Sequence, residues 1–343
     1  MTWNHKVRAG FGVANSISKV IQDAEFNRGK PFVSPCSHND LLIASDYGGE
    51  HKAATHTAFS FLVVDPVYVW LYLDEVKRIR NDILGNERTM QFKSLNDGVR
   101  QKALPHYLTA ANTLPGILFV FVIRKGLVLA EDDVVIDNAH SEWLTRIAQW
   151  NPKTLRKFLT VGNLGALIIA SLSKPGQSVT WLTDDDELTA NEQRVKDSTD
   201  ALSHLYSHYG NHNLNNFRFG SSRWTDYLKQ SEDLISVADL TAGAFSECAN
   251  LKRVDLDSPL MERDSLGSQG ASVKSQYLMG WFCNESFASL NRVSIVIESS
   301  KKDGAVVTQA ELKTDIHHFA FNPTDLYVRY SSVQFPQTPW PEE

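Results

Sequence analysis

Runs of apolar residues alternate with turn-forming residues along the chain and predict a series of β-strands. Residues 41–46 (LLIASD) and 56–65 are two such runs, and the turn residues 47–50 (YGGE) between them predict a β-hairpin. The continuously apolar stretch 116–124 (GILFVFVIR) is typical of a strand covered on both faces by helices. Further strands are predicted over residues 88–94, 179–187 and 216–222.

Apolar residues at helical spacing predict helices between these strands. Residues 69–83 carry such a stripe, and Gly85 follows it. Asn151 and Pro152 are a typical N-cap and first position of a helix. Thr189 and Glu192 fit the capping-box pattern at the start of another. Helices are also predicted over residues 15–26, 97–112 and 231–248.

The order of these elements predicts an α/β fold with a mixed β-sheet flanked by helices. Residues 41–250 are expected to form the α/β domain, and residues 1–40 an extension before it. Residues 251–343 differ in character, because they contain a predicted hairpin with an Asp303-Gly304 turn. We therefore expect a β-rich C-terminal appendage that contains this hairpin.

The charge balance argues against general binding to polyanions. The chain has 343 residues with 34 Lys+Arg and 40 Asp+Glu, so its net charge is 34 − 40 = −6. Such an acidic protein is not expected to coat nucleic acid or an anionic membrane through its overall charge. A local site for nucleic acid remains compatible with this balance.

The cysteines and the apolar runs indicate a soluble, cytoplasmic protein without a membrane partner. The three cysteines lack CxxC spacing, which predicts a reducing compartment and neither a disulfide framework nor a thiolate metal site. The apolar run 116–124 is too short to span a bilayer. The first twelve residues lack the apolar segment of a signal peptide.

Two aspartates stand where predicted strands end. Asp46 follows LLIAS and Asp184 follows VTWLT, so each comes after apolar-leaning residues and a small hydroxyl residue. Ligands of open α/β sheets bind beyond strand ends. Carboxylates that converge there serve either general acid–base chemistry or the binding of Mg²⁺. Two such ions can promote phosphodiester hydrolysis.

Asp239 is the third candidate, on the helix predicted over residues 231–248. Small residues share its face, among them Ala242, Gly243 and Ser246, so this helix can approach the sheet closely. A helical Asp could then share a cation with a strand Asp. The alternative is ordinary tight packing, with Asp239 paired to an arginine.

Two other motifs give weaker evidence for other classes of enzyme. The acidic segment 184–187 has no accompanying GxxxxGK[ST] loop, which excludes a P-loop ATPase. His204, His208 and His212 are spaced by four, but the helix lacks the Glu that a zinc protease uses as its general base. Surface or capping roles are expected for these histidines.

Together these residues resemble a known superfamily. The hairpin with SDYGGE, the strand ending in WLTDDDE and the helix with ISVADLTAGAF resemble the ribonuclease H-like superfamily, and more narrowly the bacterial domain of unknown function 3800 family. The resemblance covers about residues 41–248. It implies a ribonuclease H-like mixed sheet and a cluster of Asp46, Asp184 and Asp239 that binds Mg²⁺ or Mn²⁺. Asp185 is the alternative to Asp184, because a shift of one residue reverses the side chain.

One position departs from the family pattern. Gln91 stands where an acid is often found near the third strand, followed by Lys93, which is expected to contact a phosphate or the substrate. Asp97 is either a replacement ligand or, more commonly, a helix N-cap. Without a fourth acid, metal binding is weaker and an inactive binding module becomes more plausible.

Three functions follow. The first is a divalent-metal-dependent nuclease for RNA, DNA or a hybrid, with Asp46, Asp184, Asp239 and Lys93 as catalytic residues and basic groups such as Lys153, Arg156 and Lys157 against the substrate backbone. The resemblance to this family suggests a role in bacterial or mobile-element defence. The second is a non-catalytic scaffold that binds a protein partner or itself through its C-terminal region. The third is a metal hydrolase of small phosphorylated substrates.

Overall fold

The computed structural model of the chain describes residues 2–3, 12–35, 38–85, 88–127, 129, 142–224, 228–251, 266–267, 270–284, 288–300, 304–310 and 312–313. Within them lie the strands β1 (Asp40–Gly48), β2 (His56–Val64), β3 (Gly116–Arg124), β4 (Ser178–Thr183), β5 (Asn216–Ser221), β6 (Leu266–Gly267), β7 (Leu290–Ser300), β8 (Gly304–Gln309) and β9 (Leu312–Lys313). The helices are α1 (Gly12–Asn27), α2 (Trp70–Ile79), α3 (Gly98–Ala111), α4 (Glu142–Ala148), α5 (Pro152–Leu172), α6 (Glu192–Tyr209), α7 (Leu228–Ala249) and α8 (Val273–Cys283).

Seven of these strands form one mixed sheet, in the order β5-β4-β1-β2-β3-β7-β8. Strands β1, β2 and β3 are an antiparallel meander. Strands β4 and β5 continue from β1 in parallel, whereas β7 pairs in parallel with β3. The predicted α/β fold with a mixed sheet flanked by helices is confirmed.

Helices cover both faces of the sheet because the interior strand β3 is apolar from Gly116 to Ile123. Ile117, Phe119, Phe121 and Ile123 belong to a core that also contains side chains of α1, α5 and α6. The intervening Leu118, Val120 and Val122 belong to the opposite core, with side chains of α2, α3, α7 and α8. The continuous run therefore indicated a fully buried strand correctly.

The described C-terminal strands extend the main sheet. β7 pairs with β3 over eight residue pairs, from Gly116↔Leu290 to Ile123↔Ile297, and β8 pairs antiparallel with β7. The appendage expected over residues 251–343 is, in these strands, continuous with the sheet of the α/β domain. Asp303, the first residue of the predicted hairpin turn, lies outside the described residues, as do residues 314–343.

Three local predictions are wrong. Strand β1 continues past Asp46 to Gly48, and Asp46 pairs with Ser60 of β2, so residues 47–50 are not the hairpin turn. Residues 88–94 do not form a strand; they contain a 3₁₀ turn, Phe92–Ser94, that packs on α7. The N-cap of α6 is Asn191, whose side chain accepts a hydrogen bond from the N–H of Arg194, and not Thr189. The Thr189 hydroxyl instead donates to the carbonyl oxygen of Asp184 at 3.2 Å.

Helix α5 begins as predicted, with the side chain of Asn151 accepting a hydrogen bond from Lys153 and Pro152 in the first turn. Of the helices in the described ranges, it alone has the length and hydropathy to cross a membrane. Since 83% of its most apolar window is buried inside the protein, α5 is a core helix of this fold.

Candidate functional site

The pairing of two parallel strands brings two of the predicted aspartates together. Ser45 of β1 is in register with Thr183 of β4. The residues that follow them are Asp46 and Asp184, respectively. Both strands run in the same direction, and these aspartates therefore lie at the same edge of the sheet.

Glycines allow helix α7 to reach this edge. A Cβ atom on Gly48 would lie 2.6 Å from the carbonyl oxygen of Ala242, and one on Gly49 would lie 2.5 Å from Ser246 Oγ. Contacts this short leave no room for a side chain at Gly48, the last residue of β1, or at Gly49 after it. The prediction that small residues permit close approach of this helix is confirmed.

The carboxyl group of Asp239 on α7 thereby meets that of Asp46 on β1. The two side chains are in hydrogen-bonding contact. Asp46 Oδ1 also accepts a hydrogen bond of 2.7 Å from the N–H of Tyr47, and Asp239 Oδ2 accepts one of 2.6 Å from the N–H of Phe92. Backbone donors from two different segments thus orient the two carboxyl groups.

Burial and mutual repulsion act together on these acids. Asp46 is buried, Asp239 is half-buried and Asp184 is exposed. Burial raises the pKa of Asp46 well above its usual range, and the nearby charges of Asp239 and Asp184 raise it further. Burial likewise raises the pKa of Asp239, to which Asp184 also contributes. All three carboxyl groups therefore act on one another, with Asp184 on the solvent side.

The geometry favours Asp184 over Asp185 as the third member. Asp184 acts electrostatically on both buried aspartates. Asp185 instead forms an ion pair with Arg223. The side chains of Asp184 and Asp185 thus have different partners, as expected for successive residues at a strand end, whose side chains point to opposite faces.

The segment that carries Gln91 and Lys93 also borders the site, although it is not a strand. Phe92 packs on Gly243 of α7, where a Cβ atom would lie 2.2 Å from its ring. The positive charge of Lys93, which is exposed, lowers the pKa of Asp239. Lys93 therefore lies close enough to act on the acid cluster, even though the element that places it there is a turn.

Asp97 has the commoner of its two predicted roles. It is the N-cap of α3, where its side chain accepts a hydrogen bond of 3.1 Å from the N–H of Val99. It also forms ion pairs with Arg88 and Arg100. The hypothesis that Asp97 joins the cluster in place of a fourth acid receives no support from these contacts.

Lys157 was expected against a substrate backbone, but it is buried in a second acidic cluster beside the site. Its Nζ lies 2.7 Å from Asp186 Oδ2, 2.9 Å from Glu50 Oε1 and 3.7 Å from Glu187 Oε1. Burial lowers the pKa of Lys157, but the carboxylates of Asp186 and Glu50 outweigh it and the net shift is upward. The expected substrate contact is wrong for this residue.

This lysine joins the two loops that follow the aspartate-bearing strands. Glu50 stands four residues after Asp46, and Asp186 stands two residues after Asp184. The ammonium group also lies 4.9 Å from the centre of the Tyr47 ring. Helical spacing could not reveal this role, because Lys157 reads as part of an exposed basic run with Lys153 and Arg156.

The histidines lie away from the aspartates. His204 Nε2 and His208 Nε2 are 3.0 Å apart on α6, and His212 Nε2 is 3.0 Å from Ser173 Oγ. His56 contacts Glu298 through its Nε2 at 2.8 Å. His204, His208 and His212 are half-buried, in keeping with the surface or capping roles predicted for them, whereas His56 is buried.

The donor set is suited to a hard divalent cation, but it is not arranged as a finished binding site. No group of three or more His, Cys, Asp or Glu side chains in the described part of the chain has the arrangement of a metal site. Carboxylate oxygens are nevertheless the preferred ligands of Mg²⁺, and a shared cation would offset the burial and the neighbouring negative charge that raise the pKa values of Asp46 and Asp239.

Comparison with known proteins gives no further assignment. The chain matches no protein-family model and no curated protein sequence. The resemblance to the ribonuclease H-like superfamily and to the domain of unknown function 3800 family stays a prediction.

Proposed function

We propose that the protein is a divalent-metal-dependent phosphodiesterase of ribonuclease H-like type that acts on nucleic acid. One observation carries this proposal: the carboxyl groups of Asp46, two residues before the end of β1, and Asp239 are in contact, with Asp184 acting on both. A mixed sheet flanked by helices is what the resemblance implies, and the observed strand order supports the proposal at the level of the fold.

Each residue of the site has a defined part in this function. Asp46, Asp184 and Asp239 would hold Mg²⁺ or Mn²⁺, which when bound supplies an activated water and stabilises the charge on the leaving oxygen. The N–H groups of Tyr47 and Phe92 hold the oxygens of Asp46 and Asp239 in place. Lys93 adds a positive charge on the same side, where it attracts a phosphate.

The test is a cleavage assay with Mn²⁺ on labelled single-stranded RNA, single-stranded DNA and an RNA–DNA hybrid. We expect cleavage by the wild type and none by Asp46→Asn or Asp239→Asn. The matched control is Asp74→Asn, since Asp74 is an exposed acid on α2 and is not among the groups that act on Asp46 or Asp239. Unchanged cleavage by either site variant, with folding verified by circular dichroism, contradicts the assignment.

A non-catalytic scaffold is the second candidate, and three observations favour it. Gln91 stands where an acid is expected, and the described aspartates do not form a finished metal site. In addition, Val67, Tyr68, Trp70 and Leu71 are exposed at the start of α2, with Trp70 at 60% exposure. Exposed apolar patches of this kind are typical of protein-binding surfaces. A scaffold would neither cleave any of the three substrates nor respond to Mn²⁺.

The third candidate uses the same acids on small phosphorylated molecules. Nucleotides assayed beside the oligonucleotides separate it from the first. The defence setting, the cytoplasmic location and a C-terminal partner or homodimer contact stay predictions, and most of the C-terminal region lies outside the described residues.

A further inference from the structure

The exposed large apolar side chains in the described part of the chain lie at one end of the sheet, away from the aspartates. Four of them come shortly after β2, which ends at Val64. β2 is antiparallel to β1, and Val64 pairs with Leu42 near the beginning of β1, whereas Asp46 lies near its end. The apolar end surface consists of the following residues: Phe26, Val33, Val67, Tyr68, Trp70 and Leu71.

Val33 lies at the same end of the sheet, at the beginning of β7. Its N–H donates a hydrogen bond of 2.8 Å to Oδ1 of Asn291, the second residue of β7. Asn291 is in register with Ile117 of β3, which is in register with Val63 of β2. Two strand spacings, about 10 Å, therefore separate the beginning of β7 from the end of β2.

Phe26 extends this surface to the end of α1. The carboxylate of Glu25 accepts a hydrogen bond of 3.0 Å from the N–H of Phe32. Phe26 follows Glu25 in the sequence and Val33 follows Phe32, so this bond holds the last turn of α1 near the beginning of β7. The apolar end surface thus reaches from α1, past β7 and β3, to the beginning of α2.

A buried aspartate holds the part of this surface that follows β2. The side chain of Asp65 accepts a hydrogen bond of 3.0 Å from the N–H of Val67 and one of 3.2 Å from the N–H of His38. Pro66 fixes the first position of the same 3₁₀ turn, and the ring of Tyr68 lies 5.3 Å from that of His38. Side chains on a preformed turn lose less conformational freedom on binding, which favours association.

Charged residues are absent from the two segments that carry most of this surface. Residues 31–35 (PFVSP) and 66–73 (PVYVWLYL) contain none. The core of a protein–protein interface differs from the rest of a protein surface in the same way, because it is depleted of charge and enriched in Trp, Tyr and Phe. Binding to a polyanion or an anionic membrane would instead require basic residues in these segments. The composition therefore fits a protein partner.

The exposed area is close to what a homodimer buries. Phe26, Tyr68 and Trp70 are 71, 44 and 60% exposed. At roughly 200 Å² for a whole aromatic side chain, these three leave about 350 Å² of aromatic surface in water. Each side of a standard interface buries about 800 Å², of which about 65%, or roughly 520 Å², is apolar in homodimers. The three exposed aliphatic side chains supply much of the remainder.

We propose that two copies of the chain form a dimer through the apolar end surface, related by a two-fold axis so that each copy contributes the same residues. A two-fold axis allows one surface to serve both subunits. The occupant is a second copy because homodimer interfaces are more apolar than those between proteins that also exist apart. The aspartates lie near the other end of the sheet, so this inference goes beyond the proposed function and does not depend on it.

The experiment is sedimentation velocity of the full chain over about 1 to 100 µM, the range in which a dimer of micromolar affinity dissociates. At the upper concentrations the wild type should sediment as a particle of twice the 38.5 kDa of one chain. Trp70→Ala should raise the dissociation constant of the dimer at least about 30-fold, because a few aromatic anchors carry most of the affinity of an interface.

Phe26→Lys tests the other end of the same surface. The monomer should tolerate it, because Phe26 is exposed and a positive charge suits the last turn of a helix. In the dimer the new charge would lie in an apolar contact, so this variant should weaken the dimer as Trp70→Ala does. Circular dichroism verifies that both variants are folded.

The matched control is Lys153→Ala, which should leave the dimer unchanged. Lys153 is exposed one helical turn before Lys157, whose ammonium contacts the loops after β1 and β4 near the aspartates. A wild type that stays monomeric at the highest concentration overturns the inference and leaves the surface to a different protein or to a segment outside the described residues. A dimer that Trp70→Ala or Phe26→Lys leaves intact, or that Lys153→Ala weakens equally, also overturns it.

Discussion

The carboxyl groups of Asp46 and Asp239 are in hydrogen-bonding contact across the junction of strand β1 and helix α7. This contact depends on Gly48, which lets the helix backbone reach the strand. It places a buried acid beside a half-buried one with Asp184 close by. We therefore expect this contact to affect the stability of the metal-free protein and, under the proposed function, the binding of cations.

Asp46→Asn should stabilise the metal-free protein at neutral and higher pH. Burial, Asp239 and Asp184 raise the pKa of Asp46 in the folded state above its ordinary value of 3.8. The folded protein then binds more protons than the unfolded one, so its stability is highest below pH 3.8 and falls as pH rises through the folded-state pKa. Asparagine is neutral at every pH, so Asp46→Asn removes this loss of stability at higher pH.

The measurement is thermal unfolding in EDTA between pH 4 and pH 8. We expect the Tm of Asp46→Asn to exceed that of the wild type by about 2–4 °C at pH 8, the shift that roughly 1 kcal/mol produces in a medium-sized domain. The difference should disappear near pH 4. A lower Tm for Asp46→Asn at pH 8 contradicts the repulsion inferred among the three acids.

Gly48→Ala should separate α7 from β1. The new Cβ atom would lie 2.6 Å from the Ala242 carbonyl oxygen and 3.1 Å from Ser246 Cβ, and backbone cannot move aside as a flexible side chain can. We expect a loss of about 1–3 kcal/mol in the free energy of unfolding by urea. Gly98→Ala is the matched control, because a Cβ atom there meets open space, and it should leave stability nearly unchanged.

Lys157→Met should strongly destabilise the protein. It leaves the carboxylates of Glu50 and Asp186 without their buried cation, and removing one partner of such a pair costs about 3–5 kcal/mol. Urea unfolding measures the loss, and Lys153→Met, at an exposed neighbour, is the control. Asp186→Asn in the Lys157→Met background should recover part of the lost free energy of unfolding. If the effects of Lys157→Met and Asp186→Asn simply add, the two residues are not coupled.

His106 should titrate far below an ordinary histidine. Burial, and then the charge of Arg78, lower its pKa from 6.5 to about 4, while Glu75 opposes the shift. The unfolded chain then binds the proton more tightly, so stability should fall as pH decreases from 6.5 towards 4. NMR titration should give a pKa of about 4 in the wild type and a higher value in Arg78→Met. A wild-type pKa near 6.5 is the contrary result.

Local sequence patterns predicted the elements whose burial follows from their own residues. β3 is apolar from Gly116 to Ile123 and α5 has both its N-cap and its first proline, so each could be identified alone. Asp46, Asp184 and Asp239 could be selected together because strand ends and a small-residue helix face both have local signatures.

Long-range contacts explain what the sequence could not predict. The segment with Met90 and Phe92 was predicted as a strand. These two residues are instead buried or half-buried beside α7 and do not pair with a strand. The pairing of β7 with β3 joins residues about 170 positions apart, and no local pattern encodes it. Lys157 has the composition of a surface residue, and only its partners in two distant loops make it a buried cation.

The most direct test of the central claim is a Mn²⁺ titration followed by thermal unfolding at pH 7.5, on the wild type and on Asp46→Asn. If Asp46, Asp184 and Asp239 bind the cation together, saturating Mn²⁺ should raise the Tm of the wild type by several degrees, since a ligand at about 100 times its Kd contributes roughly 2.7 kcal/mol. Asp46→Asn should show no such rise. An unchanged wild-type Tm, or an equal rise in both proteins, would contradict the claim that these aspartates form a metal site.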